Sequence, residues 1–233
     1  MDASRSEPVP LLGSLTSPDL ERLGRPLLLL PLGSCEQHGP HLPLDTDARL
    51  AEAVAARLAE RCRRVVAGPT LPYGASGEHA GFPGTVSIGL EAVEHLLVEL
   101  ARSLGPEFGG LVVLSWHGGN AAAVAAAAAT IRDEGRRILV LSPAVGGDAH
   151  AGRTETSMML AVAPDLVRSD HAAAGETRPL AELMPALRKG GVAAVSPNGV
   201  LGDPEGASAA EGREILDSLV ADLAARIDDW EGP

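Results

Sequence analysis

The sequence has a single lysine, Lys189, and a formal charge of −12. A chain this acidic does not suit nucleic acid or an anionic membrane as its main partner, because both reward Lys and Arg. There are only two cysteines, Cys35 and Cys62. They make neither a disulfide framework nor a four-thiolate zinc site, and a reducing cytoplasm is the expected location. No apolar run approaches the ~20 residues that a membrane span needs. The run PLLLLPL, residues 26–32, reads instead as a buried strand. The start, MDASRSEPVPLLGS, is polar and carries prolines, which is not the pattern of a signal peptide. Three signatures are also missing: G-x-G-x-x-G after the first strand, G-x-x-x-x-G-K-[ST], and the G-x-S-x-G nucleophile elbow. Nucleotide dehydrogenase, P-loop enzyme and serine hydrolase are demoted accordingly.

What is present is globular composition. The 233 residues are 45% hydrophobic and 21% charged, which suits one sizeable domain, residues 1–233, with a proper core. A short apolar run followed by a helical pattern recurs along the chain. Strands are expected over Arg25 to Gly33, Gly110 to Ser115 and Arg137 to Ser142, with a further short one over Gly84 to Gly89. Helices are expected over Asp47 to Cys62 (with Asp45 or Thr46 as cap), Leu90 to Leu104, Asn120 to Glu134, Glu155 to Val162 and Ser208 to Trp230. Strands that are apolar throughout, alternating with helices, predict an α/β fold with a mainly parallel sheet covered on both faces. In such sheets ligands bind beyond the carboxyl ends of the strands.

That rule turns scattered polar residues into a site. In GSCEQHGPHLPLDTD, Glu36 and His38 follow the first strand. His117, in SWHGGN, follows GLVVLS. Asp148, His150 and Glu155, in GGDAHAGRTETS, follow RILVLS. Each residue also has a plainer role. Asp47 fits as a helix-start carboxylate, Glu155 as a first-turn glutamate, His38 as a hydrogen-bonded loop histidine, and HGGN as a tight turn with Asn120 capping the next helix. Cys35 is better read as a small residue at a strand end than as a nucleophile. The plain roles leave unexplained why groups able to bind a metal follow three strands. A set of imidazoles and carboxylates suits divalent Zn, Fe or Mn. A carboxylate can bridge two cations, so a five-ligand set of Glu, His, Asp, His and Glu could hold two ions with the Asp shared, and the chemistry expected is metal-assisted hydrolysis.

These blocks, PLGSCEQHGPHLPLDTD, YGASGEHAGFPGTVSI, WHGGN and DAHAGRTETS, occur in an order that resembles the creatininase family from about Leu28 to the last helix. The resemblance implies a three-layer α/β/α amidohydrolase with a two-metal centre, usually built into a homo-oligomer, often a hexamer. DAHAGRTETS and VSPNGVLGDPEGASAAEG (Val195 to Gly212) resemble most the mycofactocin-system branch, which removes a C-terminal Val-Tyr dipeptide from a small, ribosomally made precursor peptide. The resemblance implies that Glu36, His38, Asp47 and His117 are ligands, with Asp47 the bridge, and that His150 is the catalytic histidine that stabilises the tetrahedral intermediate or protonates the departing amine. Creatininases proper carry a glutamate two residues after the fourth ligand, where this chain has Gly119, so Glu155 is assigned to complete the second metal. Ser115-Trp116 also departs from the family's common Asn-Gly, leaving Trp116 open as pocket wall or packing residue. Glu78 and His79 are placed either at the same pocket or in a polar loop before FPGT. Arg153 is a candidate partner for a substrate carboxylate. The alternative readings are a creatinine or formamide amidohydrolase with the same centre, and a non-catalytic metal-binding assembly protein.

Overall fold

The computed structural model describes residues 11–143 and 145–230; the polar start therefore lies outside it as far as residue 10. Four strands, β1 (Leu27–Leu32), β2 (Val65–Ala67), β3 (Gly110–Ser115) and β4 (Ile138–Leu141), form one sheet in the order β2-β1-β3-β4. All three pairings are parallel, with Leu29 opposite both Ala67 and Val112, and Val113 opposite Val140. Successive side chains of a strand point to opposite faces, and both faces here are apolar. Leu27 and Leu29 of β1 and Val112 and Leu114 of β3 enter a core shared with α2 (Thr46–Arg61), α5 (Arg153–Val162) and α7 (Ala209–Asp228). Leu28, Leu30 and Leu32 with Leu111 and Val113 enter the opposite core, under α3 (Leu90–Ser103) and α4 (Ala121–Asp133). The architecture is the expected three-layer α/β/α. A small third cluster of Leu183, Val192 and Leu201, with Phe82 packed against it, ties α6 (Leu180–Gly190) to the loop carrying Glu78 and His79.

A proline in an interior strand lacks a ladder donor, yet β1 contains Pro31. The ladder explains why it is tolerated. Leu27 N donates to Arg64 O, Leu29 O accepts from Gly68 N, and Pro31 O accepts from Leu71 N. These odd positions face β2, which ends at Ala67, so the missing N–H falls beyond the last β2 residue.

Several expectations are corrected. Residues 84–89 form no strand; they make one antiparallel bridge, Cys35 with Val86, and Ile88 N donates to Gly74 O. Asn120 is not a side-chain cap of α4; its Oδ1 accepts from Ala75 N at 2.8 Å and its Nδ2 donates to Gly33 O at 3.1 Å. Neither Asp45 nor Thr46 supplies a capping bond to α2, since Asp45 pairs with Arg49 and Thr46 Oγ1 donates to Pro43 O. The strand β2, the six-residue α1 (Ser17–Arg22) and α6, with Pro185 inside it, were not anticipated.

Candidate metal centre and active site

The carboxyl ends of β1 and β3 set the site. A Cβ on Gly33, just past β1, would lie 2.4 Å from Ala48 N, so only glycine lets the strand end abut the first turn of α2. That contact delivers Asp47 to the end of β1, where Ser34 Oγ donates to its Oδ2 at 2.6 Å. Glu36, Gln37, His38, Asp47, His79, His117 and His150 are all buried.

Two donor groups share Asp47. Glu36, Asp47 and His117 form one, and His38, Asp47 and Glu155 the other. A third set, Glu36, His38 and His150, overlaps them. His117 Nε2 lies 3.2 Å from Glu36 Oε2 and its Nδ1 3.4 Å from Asp47 Oδ2, while His38 Nε2 lies 3.3 Å from Asp47 Oδ1. Ligands held at ~2.0–2.1 Å around a tetrahedral ion stand about 3.3 Å apart, so the spacings of His117 Nδ1 and His38 Nε2 from Asp47 fit a cation. Burial argues the same way: both carboxylate oxygens of Glu36 are fully buried without a hydrogen-bond partner, a costly arrangement unless a cation answers them. Backbone carbonyls also aim the rings. They can only accept, so His38 Nδ1 donates to Glu36 O at 3.2 Å and His117 Nε2 donates to Ala75 O at 3.1 Å. The opposite nitrogen of each ring is thereby turned toward Asp47, the outer support typical of metal-binding imidazoles.

Electrostatics follow the geometry. Burial works to push His38 down, but Asp47 outweighs it and holds the imidazolium up to about 9. His117 is likewise raised well above its ordinary value against burial, through Asp47, Glu36 and Glu78. Asp47 falls well below the carboxylate range because His38 and His117 overcome its burial. Burial raises Glu155. Burial and the neighbouring His38 push His150 down to about 4, and burial with His150 and His117 pushes His79 to about 2. Those two rings are neutral at pH 7. Burial and Asp45 raise the Cys35 thiol, which leaves it a poor nucleophile and agrees with its packing role.

The remaining candidates divide. Glu78 comes to the cluster, its Oε1 3.2 Å from His117 Nε2, with its side chain 35% exposed. His79 Nε2 stands 3.2 Å from Glu36 Oε1. Trp116 packs against the α2/α5/α7 core. Arg153 Nε is paired with both oxygens of Glu211 on α7, at 3.0 and 2.9 Å, and its side chain is half exposed. Asp148 caps α5 by accepting from Arg153 N at 2.7 Å. Glu155 does more than start a helix: its Oε2 accepts from Ala151 N at 2.6 Å, and Ala151 holds a left-handed φ of 53° to present that N–H, a strained conformation for a residue with a Cβ. Residue chemistry alone gives Ser34 and Gln37 no role and reads Asn120 only as a helix cap. Their signal was only position, beside or within EQH and HGGN.

Known proteins agree. The creatininase family model, described as creatinine amidohydrolase, matches residues 13–227. A mycofactocin precursor peptide peptidase of Mycolicibacterium smegmatis is 52% identical over 226 residues, covering 94% of this chain and 91% of that one. Another, of Mycobacterium ulcerans, is 48% identical over 241 residues, covering 99% and 96%. Among solved structures, a creatinine amidohydrolase superposes with a TM-score of 0.82 at 27% identity, covering 97% of this chain and all, 100%, of that one. A manganese creatininase superposes at 0.79 with 29% identity, covering 96% and 99%. A mutant creatininase of Zn-Zn type gives 0.79 at 28% identity, covering 97% and 100%. With the match running the length of the fold and through the loops that build the buried cluster, the chain belongs to the creatininase family.

Proposed function

We propose that this protein is a metal-dependent peptidase that hydrolyses an amide C–N bond in the mycofactocin precursor peptide, releasing its C-terminal Val-Tyr dipeptide. The substrate reading is supported by relatives so named that match over nearly their whole length, 91% and 96%. The chemistry rests on one observation, a buried aspartate, Asp47, common to two sets of metal-binding side chains. Glu36, Asp47 and His117 would hold one divalent ion; His38, Asp47 and Glu155 would hold a second. Bound there, such ions supply Lewis acidity and a water nucleophile at neutral pH.

The chain's own residues do the rest. His150 Nε2 donates to Gln37 O at 2.8 Å, which leaves Nδ1 with a lone pair on the side of Glu36 Oε1, 3.9 Å away. That nitrogen accepts a proton from the attacking water as the new C–O bond forms. It returns the proton to the amine nitrogen as the C–N bond breaks, so the products are a free dipeptide and a carboxylic acid, which ionises by losing its remaining proton to solvent. His79, across from His150 at a ring separation of 4.6 Å, stands beside Glu36, and Glu78 approaches His117 from the more exposed side. We place this in a single domain, in a cytoplasmic homo-oligomer.

The test is mass spectrometry of a synthetic peptide ending in Val-Tyr, incubated with protein loaded separately with Zn, Fe and Mn, with creatinine in parallel. Release of intact dipeptide that a chelator abolishes is expected, and the most active loading names the metal. Turnover of creatinine with no peptide cleavage would keep the centre and remove the peptidase assignment.

A further inference from the structure

Gln37 lies between two of the proposed ligands, is almost fully buried and has no titratable proton of its own. Its side-chain amide nevertheless touches both His79 and His150. Nε2 lies 2.8 Å from His79 Nδ1, 3.1 Å from His150 Nε2 and 3.0 Å from Gly199 O, and Oε1 lies 2.9 Å from Gly39 N.

Those contacts decide the orientation of the amide. Gly39 N–H can only donate and Gly199 O can only accept, so the oxygen must face Gly39 and the NH₂ must face Gly199; the flipped amide would set donor against donor and acceptor against acceptor. The NH₂ has two hydrogens. One goes to Gly199 O and the other to His79 Nδ1, the closest of its three neighbours. His150 Nε2 requires neither, because it donates its own hydrogen to the Gln37 carbonyl at 2.8 Å.

The proton positions on both rings follow. His79, accepting at Nδ1, carries its hydrogen on Nε2, the nitrogen 3.2 Å from Glu36 Oε1. His150, donating at Nε2, leaves Nδ1 bare toward the same oxygen. We infer that Gln37 is a positioning residue that fixes the tautomers of His79 and His150, so that a donor and a proton acceptor face Glu36 from two sides. The consequence for turnover rests on the proposed hydrolysis; the tautomers themselves do not.

Two measurements test this separately. Ring-nitrogen NMR of zinc-loaded, ¹⁵N-histidine-labelled protein, with signals assigned through single histidine variants, should show His79 protonated at Nε2 and unprotonated at Nδ1. The Gln37→Met variant, of similar length but with no amide donor, should show His79 redistributed between tautomers. It should keep its bound metal and KM within twofold, and lose roughly 10- to 100-fold in kcat, the range for removing an outer partner of a metal-site residue. Gln37→Glu, which keeps the acceptor for Gly39 but as a carboxylate offers no hydrogen to His79, should resemble Gln37→Met. A proton on His79 Nδ1 in the unmodified protein would overturn the inference, as would unchanged kcat in Gln37→Met. So would a kcat loss in that variant fully accounted for by lost metal. If the unmodified protein cleaves no peptide, the functional reading fails and the nitrogen spectra still judge the tautomers.

Discussion

Replacing His150 with alanine separates chemistry from metal binding most directly. His150 is buried, its ring 4.3 Å from that of His38 and 4.6 Å from that of His79. Its hydrogen bond to Gln37 O fixes which nitrogen is free. A side chain that accepts and returns the proton is worth 10²- to 10⁴-fold, so kcat should fall by that factor, roughly 2.7–5.4 kcal/mol of barrier. Stability should fall less, because one buried carbonyl loses its donor at about 1–3 kcal/mol. At ~2–4 °C per kcal/mol for a chain of this size, that is a loss in Tm of a few degrees to roughly twelve. Metal content should be unchanged, since Glu36, His38, Asp47, His117 and Glu155 all remain. The assay pairs steady-state kinetics on the Val-Tyr peptide with elemental analysis of the dialysed variant. His150 also belongs to a donor set with Glu36 and His38, which makes the second readout decisive. Loss of an ion in His150→Ala would make it a ligand, and kcat within twofold of the parent would take it out of the reaction.

Glu155→Gln keeps an oxygen able to accept from Ala151 N but loses the carboxylate that completes the second donor set, so elemental analysis should show a fall from two ions to about one per subunit; two retained ions would refute the assignment. Asn120→Ala strands Ala75 N–H and Gly33 O, which at about 1–3 kcal/mol for each unpaired buried group should lower Tm more than the His150 change does, as read by calorimetry. Metal binding should release protons. Asp47 holds His38 protonated up to about 9, and a metal must displace that proton. Apparent affinity should therefore rise with pH from 7 toward 9 and level off above it. Titration calorimetry in two buffers of different ionisation enthalpy counts the protons, and a buffer-independent heat at pH 7.5 would contradict the coupling.

The sheet was legible because β1 and β3 are long, apolar on both faces and followed by strongly patterned helices. The strand β2 was not, since Val65–Ala67 is three residues long and takes its place only by pairing with Leu27, Leu28 and Leu29. The segment 84–89 looked like a strand by composition, but Cys35 offers it a single bridging partner. In the site, the groups that titrate were all visible, because imidazoles and carboxylates past strand ends are unusual enough to notice. The amides and the hydroxyl that aim them were not. Nothing local marks Gln37, whose partner Gly199 is 162 residues away, or Asn120, whose carbonyl partner Gly33 is 87 residues away. The pairing of Arg153 was hidden for the related reason that its carboxylate, Glu211, arrives from α7.

Gly119 shows why the missing glutamate could be replaced only from elsewhere. A Cβ at 119 would come within 2.3 Å of both Glu78 Oε1 and His117 Nε2, and within 2.4 Å of Ala75 O. The first of these is the end of a side chain and could move. The last is a backbone carbonyl, and it is also the acceptor that aims His117. Any side chain at 119 in this backbone therefore displaces the support of one proposed ligand in order to supply another. Glu155 avoids that conflict by approaching from α5, on the far side of Asp47 and next to His38, where the Ala151 N–H already holds its carboxylate. On the proposed assignment of Glu155 to the second ion, glycine at 119 and glutamate at 155 are one structural choice, and the space that the glycine leaves is where Glu78 Oε1 comes to 3.2 Å from His117 Nε2.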